Sequence, residues 1–176
     1  WPGGQHSDLW ASAYVGQLLL AARCAGYAAE PRFVEELLKY LKASLYMDER
    51  QTNEDPQATE NTRARLCHVL AGFRQPQEGW QARLAERLDR LDMAGRAHLA
   101  AAWLETGQKG RALAALPPDT IELTVASSPG SPTASQVHQQ ATLLAVLLDL
   151  DRNHPWIPVL VRKLEAARTA GFWRTT

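Results

Sequence analysis

The chain has 176 residues, 45% of them hydrophobic, and its 19 basic and 19 acidic side chains cancel. That length suits one domain with a core able to bury most of its apolar surface. Electroneutrality removes the usual electrostatic argument for nucleic acid or an anionic membrane, and no apolar run reaches the roughly 18–20 residues of a membrane helix. The opening Trp1-Pro2-Gly3-Gly4 has no Met, basic region or apolar core of a secretory signal, and the chain stops abruptly at Trp173-Arg174-Thr175-Thr176. It reads as an excerpt of a longer protein, a single partial domain over residues 1–176.

Taken in order, Trp1 to His6 is a Gly-rich lead-in. Ser7 is the expected N-cap of a first helix, with Asp8 in its first turn and Leu9, Tyr14, Val15, Leu18, Leu19 and Ala22 as the apolar stripe. Gly26 ends it, and Pro31 opens a second helix with Phe33, Val34, Leu37, Leu38, Leu41 and Leu45 inward. Neither stripe can be buried within one hairpin, so further hairpins must stack on it. Residues 46–57 are polar, contain Pro56 and read as a loop. A third helix is expected from about Thr59 to Phe73, with Leu66, Cys67, Leu70 and Phe73 inward. A fourth runs from about Gln77 to Leu91, with Trp80, Leu84, Leu88 and Leu91 on one face.

Met93 to Glu105 is an Ala-rich fifth helix whose small residues permit close approach; Gly107 ends it and Lys109 to Leu116 is a short sixth. Pro117-Pro118 stops that helix. Thr120 to Val125 alternates with β-branched residues and predicts a short extended segment near 120–126. Ser127 to Pro132 is a loop by composition. Ser135 caps a seventh helix, whose Val137, Ala141, Leu144, Val146, Leu147 and Leu150 give it a wide apolar surface and predict deep burial. Pro155 and Pro158 open the eighth, with Val159, Leu160, Leu164 and Ala167 on it. The expectation is all-α: four unevenly spaced helical hairpins without a strict repeat, stacked around an axis as an α/α toroid.

Chemistry is sparse. His6, His68, His98, His138 and His154 show no HExxH and no i, i+4 pair, and His68 and His98 read as lining helix surfaces. The Asp48-Glu49 and Glu54-Asp55 clusters lack the ligand spacing of a calcium loop. There is no nucleophile elbow and no phosphate-binding Gly-rich loop. Cys24 and Cys67 both fall on or near apolar faces and read as buried free thiols, and no CxxC suggests zinc. No metal or cofactor and no catalytic residue is expected. Trp1, Trp10 and Trp173, with Tyr14, are the candidate binding residues: an aromatic patch at one end, set against simple core packing.

At Trp1, Gly3-Gly4, Ser7 and Trp10-Ala11-Ser12-Ala13-Tyr14 the chain resembles the thioester domain of the alpha-2-macroglobulin family. The similarity continues at Ala25-Gly26-Tyr27, Tyr40-Leu41, the run from Ala97 to Gly107, Ser135-Gln136-Val137 and the run from Ala141 to Leu147. It closes at Gly171-Phe172-Trp173-Arg174-Thr175-Thr176, where Thr176 stands in place of the family's Gln. Ser12 stands where Thr is usual, and the style is that of the bacterial branch. The resemblance implies part of an α/α toroid inside a protease inhibitor of the periplasm, cell envelope or extracellular space. It implies proteases and neighbouring domains of the parent as partners, and no enzymatic activity.

The family's C-x-E-Q thioester motif is absent: Cys24 precedes Ala25-Gly26-Tyr27, and Cys67 precedes His68-Val69-Leu70. The loop from about Met47 to Glu60 also lacks the His that assists acyl transfer in complement relatives. Two other readings stand beside this one. Ala94 to Leu116 looks like a tetratricopeptide-type hairpin, which would make the chain a protein-binding repeat module. A toroid enzyme would need acidic motifs such as DxDD, which the sequence lacks. Apolar faces left uncovered predict a tendency to self-associate.

Overall fold

The computed structural model describes residues 8–46, 56–116 and 136–168. The described residues form eight α-helices and no strand: α1 Leu9–Cys24, α2 Pro31–Ser44, α3 Pro56–Gly72, α4 Glu78–Ala85, α5 Met93–Glu105, α6 Lys109–Ala115, α7 Gln136–Leu150 and α8 Trp156–Ala166. The segment near 120–126, read as extended, lies outside the described residues.

The odd-numbered helices form one layer, in which α1 packs on α3, α3 on α5 and α5 on α7. The even-numbered helices form the second layer. Helix α2 packs on α1 and α3, α4 on α3 and α5, α6 on α5 and α7, and α8 on α7. This alternation of inner and outer helices is the expected α/α arrangement.

The helix ends follow local chemistry. Asp8, rather than Ser7, is the N-cap of α1, its carboxylate accepting from Ala11 N at 2.6 Å. Glu30 accepts from the amides of Arg32 and Phe33 ahead of Pro31, so proline takes the first helical position, where a missing N–H costs little. Gly26, at φ +85°, turns the chain after α1 in a conformation that side-chain-bearing residues resist.

Several further expectations are corrected. Helix α1 is buried on a different stripe from the one read in the sequence. Ala13 and Gly16 face the core, while Tyr14 is 53% and Leu18 59% exposed. The cause is close backbone approach: a Cβ on Gly16 would stand 2.6 Å from Val69 Cγ1, and Leu20 lies directly over Gly72. Small residues therefore define the contact, with Leu20 seated on Gly72, and Tyr14 and Leu18 are turned outward.

The most enclosed helices are α3 and α5, not α7. Helix α3 buries Glu60, Arg63 and Arg65 along with its apolar residues, and α5 buries ten of the eleven residues from Met93 to Trp103. On α7 the buried face is Gln139, Gln140, Leu143, Val146, Leu147 and Leu150, whereas Ala141 and Leu148 face outward. The buried ion pair at the base of α3 is tolerated because its members compensate one another. Glu60 accepts from Arg87 at 3.2 Å and lies 3.8 Å from Arg63, whose guanidinium covers the Trp80 ring at 4.8 Å.

The fourth helix ends at Ala85 instead of Leu91 and gives way to a single 3₁₀ turn, Leu88–Arg90. The chain must reverse into α5 by Met93, and this break leaves Leu91 extended for that reversal. Leu84 and Leu91 are still buried, so the apolar face survives the change of backbone. Helix α3, for its part, starts at Pro56, three residues earlier than expected.

Cys67 is buried as expected, but Cys24 is exposed. The last α1 side chain to reach α3 is Arg23, which donates to the Gly72 carbonyl and lies 4.8 Å above the Phe73 ring; Cys24 is passed by.

Candidate functional site: a buried arginine–histidine cluster

The inner layer carries an unusual polar centre. Arg65 comes from the middle of α3, His68 from one turn further along, His98 from the Ala-rich stretch of α5, and His138 from the start of α7. Arg65 is 4% and His98 3% exposed. Arg65 Nε donates to His98 Nε2 at 3.4 Å, and Arg65 Nη2 reaches His138 Nε2 at 2.9 Å. His98 Nδ1 lies 3.3 Å from His68 Nδ1 and 3.4 Å from the side-chain amide of Gln17 on α1.

These contacts fix proton positions. Arginine only donates, so His98 and His138 must accept at Nε2 and carry their protons on Nδ1. The His98 Nδ1–H then faces both His68 Nδ1 and the Gln17 side-chain amide, and either can accept it, Gln17 through its oxygen. All three rings are held neutral. Burial, first, and then the Arg65 charge bring His68 down to about 4 from its ordinary 6.5. Burial followed by Arg65 also lowers His138, and burial, Arg65, His68 and His138 together hold His98 well below its ordinary value.

Above this layer lie the aromatic residues. Trp10 and Tyr14 stack at 5.8 Å with rings 9° apart, and the Arg65 guanidinium sits 5.5 Å over Trp10. Trp10 is therefore a lid on the arginine rather than a free surface ring. Of the four aromatic residues proposed from sequence, the structure joins Trp10 and Tyr14; Trp1 and Trp173 lie outside the described residues. Beneath Trp10, Asp92 caps α5 by accepting from Gly95 N at 2.7 Å, and its own amide donates to Asn61 Oδ1 at 3.0 Å. Burial raises the Asp92 carboxyl from its ordinary value, opposed by the Gly95 and Ala94 amides and by the Arg65 charge.

His98 is thus corrected from a helix-surface residue to a core residue, whereas His68 is half-buried at the edge of the same cluster. His154 does sit in the turn before Pro155, where its Nδ1 accepts from Trp156 N at 3.3 Å. Arg65 and Asp92 were not singled out by sequence reasoning at all. The available signal was spacing: Arg65 and His68 share a helix face at i, i+3, and His98 stands among six small apolar residues where an unpartnered ring would be costly.

The cluster ties α3, α5 and α7 together through Arg65. The Nε2 atoms of His98 and His138 are occupied by guanidinium N–H groups, and Arg65 brings a positive charge into their midst. Among the described residues no group of three His, Cys, Asp or Glu side chains is arranged to hold a metal ion. No helix among them is long and apolar enough to cross a membrane.

No family model and no curated protein matches the sequence. The fold, however, is similar to that of native alpha-2-macroglobulin from Escherichia coli, in the crystal structure spanning domain MG7 to the C-terminus. The TM-score is 0.73 at 17% sequence identity, over 97% of this chain and 27% of that one. The chain therefore spans about a quarter of the structure it matches, and what the two share is an all-α fold found in the C-terminal region of a bacterial alpha-2-macroglobulin.

Proposed function

We propose that this chain is a thioester-domain-type helical sector of a bacterial alpha-2-macroglobulin-like protease trap, acting as scaffold and docking surface rather than as an enzyme. The observation that carries this reading is the fold likeness along nearly the whole chain. It is supported by the positions of the resemblance residues. Trp10 and Tyr14 form the stacked pair over Arg65, and His98 lies within the run from Ala97 to Gly107. The segments that resemble the family thus supply Trp10, Tyr14 and His98 to the centre built around Arg65.

In this role the chain has no catalytic residue of its own. Its partners are neighbouring domains of the parent and, through the parent, the trapped protease. Tyr14 and Leu18 on the outer face of α1 are the exposed apolar residues such a neighbour, or a second copy, would cover. A periplasmic, envelope or secreted location follows from the same reading. The tetratricopeptide alternative is weaker, because α5 is enclosed by α3, α6 and α7 instead of presenting a concave peptide-binding face.

The test uses the full-length parent protein. It is incubated with an active endopeptidase, and the protease is then assayed on a large protein substrate and on a small peptide substrate. Loss of the first activity with retention of the second is expected of a trap. Equal activity on both substrates, with no complex on a native gel, would overturn the proposal. Methylamine treatment followed by mass and free-thiol measurement then separates a covalent trap from one that works by enclosure alone.

A further inference from the structure

Arg65 uses two of its three nitrogens on His98 and His138, and the third, Nη1, is buried without a hydrogen-bond partner among the described residues. Trp10 Nε1 is in the same position. Both residues wall a cavity of about 20 Å³ that Asn61, Asp92, Gly95 and His98 also line. Two buried, unpartnered donors therefore belong to residues that line a small space shared with the Asp92 carboxylate. Asp92 and Arg65 feel each other's charge across it without a direct ion pair.

We propose that this cavity is a binding site for a single water molecule, which accepts from Arg65 Nη1 and Trp10 Nε1 and donates to the Asp92 carboxylate. Three features select that occupant. The volume holds about one water, which needs some 10–15 Å³ and two to four polar partners; it is too small for a carboxylate or phosphate group. The partner set is mixed, with two donors and at least one acceptor, as water requires and as an anion does not. The Asp92 charge offsets that of Arg65, so a halide would meet a carboxylate at close range. Gly95 keeps the wall tight, because a Cβ there would collide with Asn61 Oδ1.

The water completes a bridge from α1 through α3 to the N-terminus of α5. It explains how the buried Arg65 guanidinium on α3 and the half-buried carboxylate that caps α5 are compensated without touching.

A crystal structure of the full-length parent protein at high resolution, grown in sodium bromide, tests this. The expected result is one density peak within about 2.7–3.2 Å of Arg65 Nη1, Trp10 Nε1 and an Asp92 carboxylate oxygen, with no bromine anomalous signal. An anomalous peak at that position would make the site an anion site and overturn the proposal. An empty cavity, or one closed by a direct Arg65–Asp92 ion pair, would overturn it equally.

Discussion

Arg65 Nη2 lies 2.9 Å from His138 Nε2, so a guanidinium on α3 is anchored to a neutral imidazole on α7 across the edge of α5. With the parallel contact to His98 at 3.4 Å, one buried cation ties three inner helices together while demanding that every ring around it stay unprotonated. Most of the molecule's testable behaviour follows from that demand.

The first consequence is acid sensitivity. In the unfolded chain the histidines titrate near 6.5, whereas in the fold His68 is held at about 4 and His98 and His138 are also lowered. Between these values the unfolded chain binds protons that the folded chain refuses. Stability is therefore complete above about pH 7 and falls as the pH drops from 6.5 towards 4, with His68 alone contributing on the order of 3 kcal/mol across that window. Urea unfolding midpoints measured from pH 4.5 to 8 check this, and His68→Gln should flatten the slope. A midpoint unchanged over the whole range would mean that the rings are open to water.

Replacing the cation tests the cluster from the other side. Arg65→Met keeps the stem volume but removes donors to two histidines and the charge over Trp10. A loss of about 1–3 kcal/mol at pH 7 is expected from acceptors left unpaired. The pKa of His138 should rise, but not all the way to 6.5, because burial is the larger cause of its depression and Arg65 the smaller. Histidine titration followed by NMR in the wild type and variant gives both signs. An unchanged His138 would show that its contact with Arg65 carries no electrostatic weight.

How far the sequence reaches can be judged on particular residues. Helix existence was legible almost everywhere, because period, caps and punctuation agreed at Gly26, Pro31 and Gly107. Facing was less legible. On α1 the apolar moment points to Tyr14 and Leu18, but the helix packs through Ala13 and Gly16, since a close crossing rewards small size over hydrophobicity. The same limit hid the centre: Glu60, Arg63 and Arg65 mark α3 as a surface helix by composition, and only partners contributed by α4–α5, α5 and α7 make their burial affordable. Long-range pairing of that kind leaves no local pattern, so three scattered histidines could not be seen to meet.

The close crossing of α1 and α3 is itself testable. Gly16→Ala would normally gain about 0.5–1 kcal/mol in a helix interior. Here the new Cβ would stand 2.6 Å from Val69 Cγ1 and 3.4 Å from Leu41 Cδ1, and Val69 is fully buried with few rotamers to escape into. A net loss of about 1–3 kcal/mol is expected. Val69→Ala alone should also destabilise, by about 2 kcal/mol, through the cavity it leaves. In the double variant the two defects fit together, so its loss should be smaller than the sum of the two single losses. Strict additivity in denaturant melts would show that the helices are farther apart than the structure has them.

The two thiols should behave as different chemical species. Cys24 is exposed at the end of α1, whereas Cys67 is buried on α3 and its thiol is pushed up to about 12 by burial. Since the thiolate is the reactive form, Cys67 is protected twice, by access and by protonation. A disulfide-exchange reagent at pH 8 should modify one thiol within the time that a small exposed thiol needs. The second should react only at the rate at which α3 opens, and fully once denaturant is added. Cys24→Ser should abolish the fast phase and leave the slow one, whereas Cys67→Ser should do the reverse. Two fast thiols in the wild type would place Cys67 outside the core and with it the face of α3 that packs beside Arg65.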